Sequence, residues 1–102
     1  NEGAHNMKHE TIIAAARFHR LAEVAARNGG FWVSAGGGTA NVIAGEIARA
    51  TGDLFHETHA ALEHTGGQDW YSNMYQAQPF NGEPEGYRFD ARTVARAACR
   101  NV

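Results

Sequence analysis

Six histidines stand out in this chain of 102 residues, because three of them share nine positions with two glutamates. In this segment, 56–64, His56 is followed directly by Glu57, and a histidine beside a carboxylate can act as acid and base because imidazole titrates near neutral pH. His56 and His59 are spaced i and i+3, so with a carboxylate they can also hold zinc or another divalent ion. The segment predicts catalytic residues in His56 and Glu57 and metal ligands in His56 and His59, with a solvated polar face as the alternative.

A second group of candidate residues lies near the start of the chain. His5 and His9 are four residues apart, which places both on one side of a helix, and His9 is the candidate acid, base or ligand. Glu10 and Arg17 project into the apolar face predicted for the same helix, where a charge is costly unless it is paired. The two side chains predict either a structural ion pair or a polar pocket between helices, in which Arg17 would bind substrate.

A third group follows the double glycine at positions 66 and 67. Asp69 and Asn73 are spaced i and i+4, so on a helix they can turn together toward the histidines and complete an oxygen-rich site. We therefore expect Asp69 to be catalytic and Tyr71 and Asn73 to bind substrate. The alternative is that Asp69 caps a helix and that the neighbouring aromatic side chains belong to the core.

The elements that must position these groups are helices. Apolar periodicity and glycine stops predict four of them, over 7–27, 39–64, 69–78 and 91–100. The second helix can divide at Gly52, in which case Asp53 would cap the new helix, and Asp90 is the expected cap of the last one. The residues expected on the apolar faces are Met7, Ile13, Ala14, Phe18, Leu21, Val24 and Ala25, then Ile43, Ile47, Ala50, Leu54, Ala61 and Leu62, and finally Val94, Ala95 and Ala98.

The stretch between the first two helices is expected to be a connector. Residues 31–35 are apolar and could form a strand, but a lone strand has no partner, so we expect an extended segment. The glycines at 36–38 then free the backbone for a turn. The sequence therefore predicts an all-α fold over residues 1–102: a small single-domain bundle of about four helices with a glycine-rich connector.

Composition and charge limit the kinds of function. Hydrophobic residues make up 43% of the chain and charged residues 20%, as in an ordinary globular protein. Lys and Arg number 9 against 11 Asp and Glu, so we expect no non-specific nucleic-acid binding, which needs clustered cations. The single cysteine, Cys99, excludes an intrachain disulfide and a cysteine-built zinc site. The uncharged stretch 28–45 holds too many glycines and polar residues to cross a membrane, so we expect no transmembrane segment.

Three short motifs follow one another along the chain: Asn6-x-Lys8-His9, then Gly52-Asp53 with His56-Glu57, then Asp69-x-Tyr71-Ser72-Asn73. In this order they resemble the small helical toxin domains at the C-termini of large bacterial secreted or contact-dependent toxins. Two details depart from that pattern, because two residues separate Asp53 from His56 and Ser72 stands where asparagine is usual. The resemblance implies a hydrolytic toxin domain and a cognate inhibitor (immunity) protein, with a pocket formed by His9, His56, Glu57, Asp69 and Asn73.

The sequence is compatible with functions of three classes, of which the third is a metal or cofactor carrier with ligands from facing helices. The first is a small hydrolase whose histidines and carboxylates activate water, alone or through a divalent metal, on a small-molecule, lipid or phosphoester substrate. The second is a non-catalytic helical binding module with an aromatic contact patch, formed by Trp32, Trp70, Tyr71 and Tyr75. Because the chain begins with Asn1 rather than Met, we expect a domain excised from a larger chain. As the resemblance to toxin domains implies, such a domain would be secreted or delivered to a target cell. The alternative location is the cytoplasm.

Overall fold

The computed structural model describes residues 7–27, 31–33, 38–73 and 88–102. Helices carry most of the described chain, which confirms the all-α fold class. In chain order the elements are α1 (His9–Arg27), β1 (Phe31–Val33), α2 (Thr39–Thr51), α3 (Phe55–Gly66), α4 (Trp70–Asn73), β2 (Arg88–Asp90) and α5 (Ala91–Ala98). His5, the connector glycines at 36 and 37, and the part of the predicted third helix beyond Asn73 lie outside the described residues.

The predicted second helix divides at Gly52. This glycine is left-handed, with φ at 74°, and its N–H donates to the Ala48 carbonyl to close α2. A residue without Cβ is favoured there because left-handed backbone strains other residues. The prediction that Asp53 caps α3 is wrong: Leu54 takes the capping position, because the Asp53 carboxylate is held by the first turn of α1.

The connector expected at 31–35 contains a short strand that has a partner. β1 and β2 pair in parallel, with Val33 opposite Asp90. The prediction of an unpaired segment is wrong because the partner strand comes from a distant part of the chain, beyond the reach of any local pattern. β2 leads directly into α5, so the pair fixes where the last helix begins. The side chain of Asp90, the expected cap of that helix, is outside the described part of the chain.

The buried face of α1 is rotated from the predicted one by about one residue, roughly 100°. Leu21 and Val24, predicted to be inside, keep 40% and 44% of their surfaces exposed. Thr11 and His19 are inside instead, since both polar side chains find hydrogen-bond partners there. The buried residues of α1 are Thr11, Ala14, Ala15, Phe18, His19 and Ala22.

The other predicted faces agree better with the structure. The exceptions are Ala50 and Leu54, which are exposed because a helix that divides at Gly52 cannot continue one apolar face across the break. Cys99, the single cysteine, is half-buried and packs against the core, and burial raises the pKa of its thiol. The residues predicted and found inside are Ile43, Ile47, Ala61, Leu62, Val94, Ala95 and Ala98.

Helices α1 and α3 lie side by side and run in the same direction. Thr11 contacts Asp53 near their N-terminal ends, and His19 contacts Leu62 further along. Helix α5 packs across α1 and α2, and α2 also packs against α3. Most of the buried apolar residues are alanines, which let neighbouring helix axes approach closely. The first turns of α1 and α3 are therefore neighbours at one end of the helix pair.

Candidate functional site

The end where α1 and α3 begin is organised by Asp53. Its Oδ2 atom accepts hydrogen bonds from the Lys8 backbone N–H at 3.1 Å and from the Thr11 hydroxyl at 2.7 Å. Its Oδ1 atom accepts from the Leu54 N–H at 2.7 Å. Burial by itself raises the pKa of Asp53, but these hydrogen bonds and the charge of Lys8 outweigh it and hold the pKa below its ordinary value. One carboxylate therefore joins the starts of two helices.

Three predicted catalytic residues lie at this end, which we define as the α1–α3 junction (residues 8–11 and 51–57). His56 Nε2 lies 3.5 Å from Glu57 Oε2. The His56 side chain is 76% exposed and that of Glu57 only 17%, so the histidine faces solvent with the carboxylate behind it. His9 is the exposed first residue of α1. The junction therefore holds His9, His56 and Glu57 at the same end of the α1–α3 pair, together with the carboxylates of Glu10 and Asp53.

His59, predicted as a metal ligand with His56, has a different partner. Its Nε2 atom lies 2.9 Å from Asn41 Oδ1 on α2, and its ring contacts Phe55 edge-on. An amide oxygen only accepts, so Nε2 carries the proton and is not available to a metal while this bond is made. Within the described part of the chain, no three His, Cys, Asp or Glu side chains are grouped as a metal site requires.

Asp69, Tyr71 and Asn73 lie beyond the opposite end of α3 from His56. Helix α3 has 12 residues, which at about 1.5 Å per residue span roughly 18 Å. Asp69 is exposed, and Tyr71 packs half-buried against Trp70. Asn73 closes α4, with its side chain outside the described residues. The expected convergence on one pocket is not found, because the length of α3 separates Asp69 from His9 and His56.

Trp70 belongs to the core and not to a surface patch. It is 4% exposed, and its ring meets the rings of Phe18 and His19 edge-on, with centroids 5.9 and 5.2 Å apart. The aromatic patch of the alternative binding module therefore loses this residue. The side chains of Trp32 and Tyr75 lie outside the described part of the chain.

Arg17 lies in a third place, between α1 and α5. Its Nη1 atom donates to the Arg100 carbonyl at 2.6 Å. Glu10 is exposed, and the expected Glu10–Arg17 pair is absent among the ion pairs of the described residues, because the buried face of α1 is rotated away from both. Arg17 also borders an open groove of about 260 Å³, lined by Arg17, Arg20, Leu21 and Ala97.

His19 is a buried histidine that the sequence pattern does not single out. It is 6% exposed, and its Nε2 atom lies 2.9 Å from the Leu62 carbonyl oxygen. Because a carbonyl only accepts, Nε2 carries the proton. Burial lowers the pKa of His19, outweighing the opposite effects of the Leu62 hydrogen bond and the charge of Glu23. The only signal in the sequence is its position one turn after Ala15, on the alanine-rich face of α1.

Acid is expected to destabilise the fold through His19. The unfolded chain binds a proton at this residue below about pH 6.5, whereas the folded protein does so only at lower pH, so the free energy of unfolding falls as pH drops through that window. We expect a loss of about 1 kcal/mol between about pH 7.5 and 5.5, measured by urea unfolding. The His19→Gln variant keeps a donor for the Leu62 carbonyl but cannot titrate, so its loss should be smaller by that amount. Equal losses in both proteins would contradict the assignment.

No protein-family model matches this chain, and no curated protein or solved structure is significantly similar to it. No described helix combines the length and the apolar composition that crossing a bilayer requires. Function therefore has to be argued from local geometry. At the α1–α3 junction that geometry is an exposed imidazole backed by a carboxylate, which can exchange protons with a bound molecule.

Proposed function

We propose that the α1–α3 junction is the acid–base site of a small hydrolase, with His56 as the group that exchanges protons. The observation that carries this proposal is the 3.5 Å separation between His56 Nε2 and Glu57 Oε2. A carboxylate in that position stabilises the imidazolium that forms when the ring takes up a proton. His9, exposed at the start of α1, would serve as a second acid or base.

The proposed reaction is attack of water on an ester of a small molecule, a lipid or phosphoric acid. In the tautomer that carries its proton on Nε2, the Nδ1 atom of His56 accepts a proton from water while the water oxygen attacks the carbonyl carbon or the phosphorus. The imidazolium then gives this proton to the leaving oxygen, so that ester and water become acid and alcohol. The positive N-terminal ends of α1 and α3 favour the negative charge that develops on the substrate.

The resemblance to bacterial toxin domains supplies the biological side of the proposal. It implies a domain that is secreted or delivered to a target cell and that the producing cell blocks with a cognate inhibitor protein. A divalent metal would need a further ligand besides His56 and His59, so no step of the proposed reaction passes through one.

Two assays test the proposal: hydrolysis of chromogenic carboxylate and phosphate esters, and growth inhibition on induced expression in a bacterial host. We expect His56→Ala to lower kcat/KM by about 100-fold or more, because that is the usual contribution of a general base. Glu57→Gln should have a smaller effect, since it keeps the size of the side chain and removes the charge that stabilises the imidazolium. The matched control is His64→Ala, an exposed histidine elsewhere on α3, which should leave both readouts unchanged.

Two outcomes would overturn the proposal. One is a wild-type protein that neither hydrolyses the esters nor slows growth. The other is activity that survives in His56→Ala to the same extent as in His64→Ala.

A further inference from the structure

Arginine side chains are concentrated on one side of the protein, where α5 lies across α1 and α2. Two sets of contacts connect them. On the α2 side, Arg49 of α2 and two arginines of α5, Arg92 and Arg96, surround Glu46. On the α1 side, Arg17 donates to the Arg100 carbonyl and shares a groove with Ala97 of α5. We call this surface the basic face, and it consists of Arg17, Arg20, Arg49, Arg92, Arg96 and Arg100.

Glu46 does not neutralise this surface. Its carboxylate lies 3.2 Å from Nε of Arg92 and of Arg96, and 3.4 Å from Nη1 of Arg49. Burial alone raises the pKa of Glu46, but the hydrogen bond from Arg96 and the charges of all three arginines outweigh it and hold the pKa low, so the carboxylate stays ionised. Three guanidinium groups therefore surround this carboxylate, and their side chains keep 74% (Arg49), 47% (Arg92) and 62% (Arg96) of their surfaces exposed.

The carboxylates of the described chain lie mostly elsewhere. Outside the basic face, the described cationic side chains are Lys8 and Arg27, and Arg27 is paired with Glu23. The carboxylates outside it are Glu10, Glu23, Asp53, Glu57, Glu63 and Asp69. Among the described residues, six arginines therefore lie on the basic face with one carboxylate, a local excess of positive charge that the net charge of −2 does not show.

We propose that the basic face binds the phosphate backbone of a nucleic acid. Clustered cations along one helix face are the electrostatic footprint of such binding, because each neutralised phosphate releases condensed counterions. All six cations are arginines, whose planar guanidinium groups pair with phosphate oxygens through two parallel hydrogen bonds. A net charge near zero argues against such binding only when the charges are evenly spread over the surface of the protein.

The outer surface of α5 favours a nucleic acid over an acidic protein. Its exposed residues are Arg92, Thr93 and Arg96, with Arg100 just beyond the last turn. Among the described residues, the exposed large apolar side chains beside them are limited to Leu21 in the groove and Val102 after α5. The centre of a protein–protein interface is usually apolar and rich in aromatic residues. A phosphate backbone needs charge and hydrogen-bond donors alone, which this surface provides. This inference is independent of the hydrolase proposal, because it involves none of the residues at the α1–α3 junction.

Fluorescence anisotropy with labelled RNA and DNA oligonucleotides of about 20 nucleotides, single- and double-stranded, tests the proposal across about 50 to 200 mM salt. We expect Arg92→Ala/Arg96→Ala to weaken binding at least about tenfold at low salt and to reduce the slope of log K against log salt by about 2. The matched control is Ala60→Glu/Gln68→Glu, which lowers the net charge equally at two exposed positions on and just after α3 and should alter affinity less than about twofold. Comparing the four oligonucleotides shows whether RNA or DNA binds better.

A second variant keeps the proposal testable if the arginine double variant folds poorly. Glu46→Gln removes the only described carboxylate of the basic face, so the variant protein should bind the same oligonucleotides more tightly than the wild type does. The proposal is overturned if wild type shows no salt-dependent binding, or if the two double variants lose affinity equally. It is also overturned if poly-glutamate binds where no oligonucleotide does, since the face would then fit an acidic protein.

Discussion

Replacing Gly66 by alanine is expected to lower the free energy of unfolding by about 3 kcal/mol, although alanine is the better helix former. Gly66 is the last residue of α3, and a Cβ built on it would collide with Cε1 and Nε2 of His19. The imidazole has no easy way aside, because it is bonded to the Leu62 carbonyl and meets Phe18 and Trp70 edge-on. The variant must expel the ring or separate α1 from α3, so its Tm should fall by more than about 10 °C in thermal unfolding.

Two controls distinguish this collision from a general effect of alanine in a helix. Gly45 lies within α2 with nothing near the position of a Cβ, so Gly45→Ala should raise the free energy of unfolding by about 0.5–1 kcal/mol. In a His19→Ala background the ring is gone, so adding Gly66→Ala should be far less destabilising than in the wild type. Equal destabilisation with and without the ring would mean that the collision with His19 is not the reason why Gly66→Ala lowers the free energy of unfolding.

The ends of the helices are the part of the fold that the sequence predicts best. Gly52 and Gly67, both among the predicted stops, adopt positive φ values of 74° and 94°. Their signal is local, since a residue without Cβ ends a helix whatever lies around it. The pairing of β1 with β2 has no such signal, because neither short strand is stable or recognisable without the other.

The rotation of α1 about its axis is not predictable from its own residues. Apolar periodicity favours a face with Leu21 and Val24 inside, yet Thr11 and His19 are buried. Their burial depends on hydrogen-bond acceptors from other elements. Thr11 donates to the Asp53 carboxylate in the turn between α2 and α3, and His19 is bonded to the Leu62 carbonyl in α3. Sequence periodicity treats both as polar residues, so it cannot know that they are satisfied inside.

The candidate site was predictable in its residue types but not in its assembly. Helical spacing shows which side chains share a face, and it does not say how far apart they lie along the axis. His9 and His56 share one end because Asp53 binds the first turn of α1, a contact 45 residues apart in sequence. Asp69 is separated from His56 by the length of α3, which the distance between the two motifs already implies. The clustering of arginines on the basic face is likewise not predictable until α5 is placed against α1 and α2.

Asp53→Ala is expected to lower the free energy of unfolding by about 2–3 kcal/mol near neutral pH, because it removes the acceptor that joins α1 to the start of α3. The Lys8 and Leu54 N–H groups lose their side-chain partner, and the fully buried Thr11 hydroxyl loses its shortest hydrogen bond. Urea unfolding measures the change. Glu63→Ala, which removes an exposed carboxylate from α3, is the control and should change stability by less than about 0.5 kcal/mol.

The dependence on pH separates the role of the Asp53 charge from that of its shape. Because the pKa of Asp53 is held below its ordinary value in the folded protein, the ionised carboxylate stabilises the fold above that value, and this contribution is lost as pH falls through the folded pKa. The difference between wild type and Asp53→Ala should therefore be largest near neutral pH and shrink in acid below about pH 4. Asp53→Asn keeps one carbonyl acceptor without the charge, so it should be intermediate at neutral pH and depend less on acid. A difference that is the same at neutral and acid pH would mean that α1 and α3 are joined by packing alone, with no contribution from the carboxylate charge.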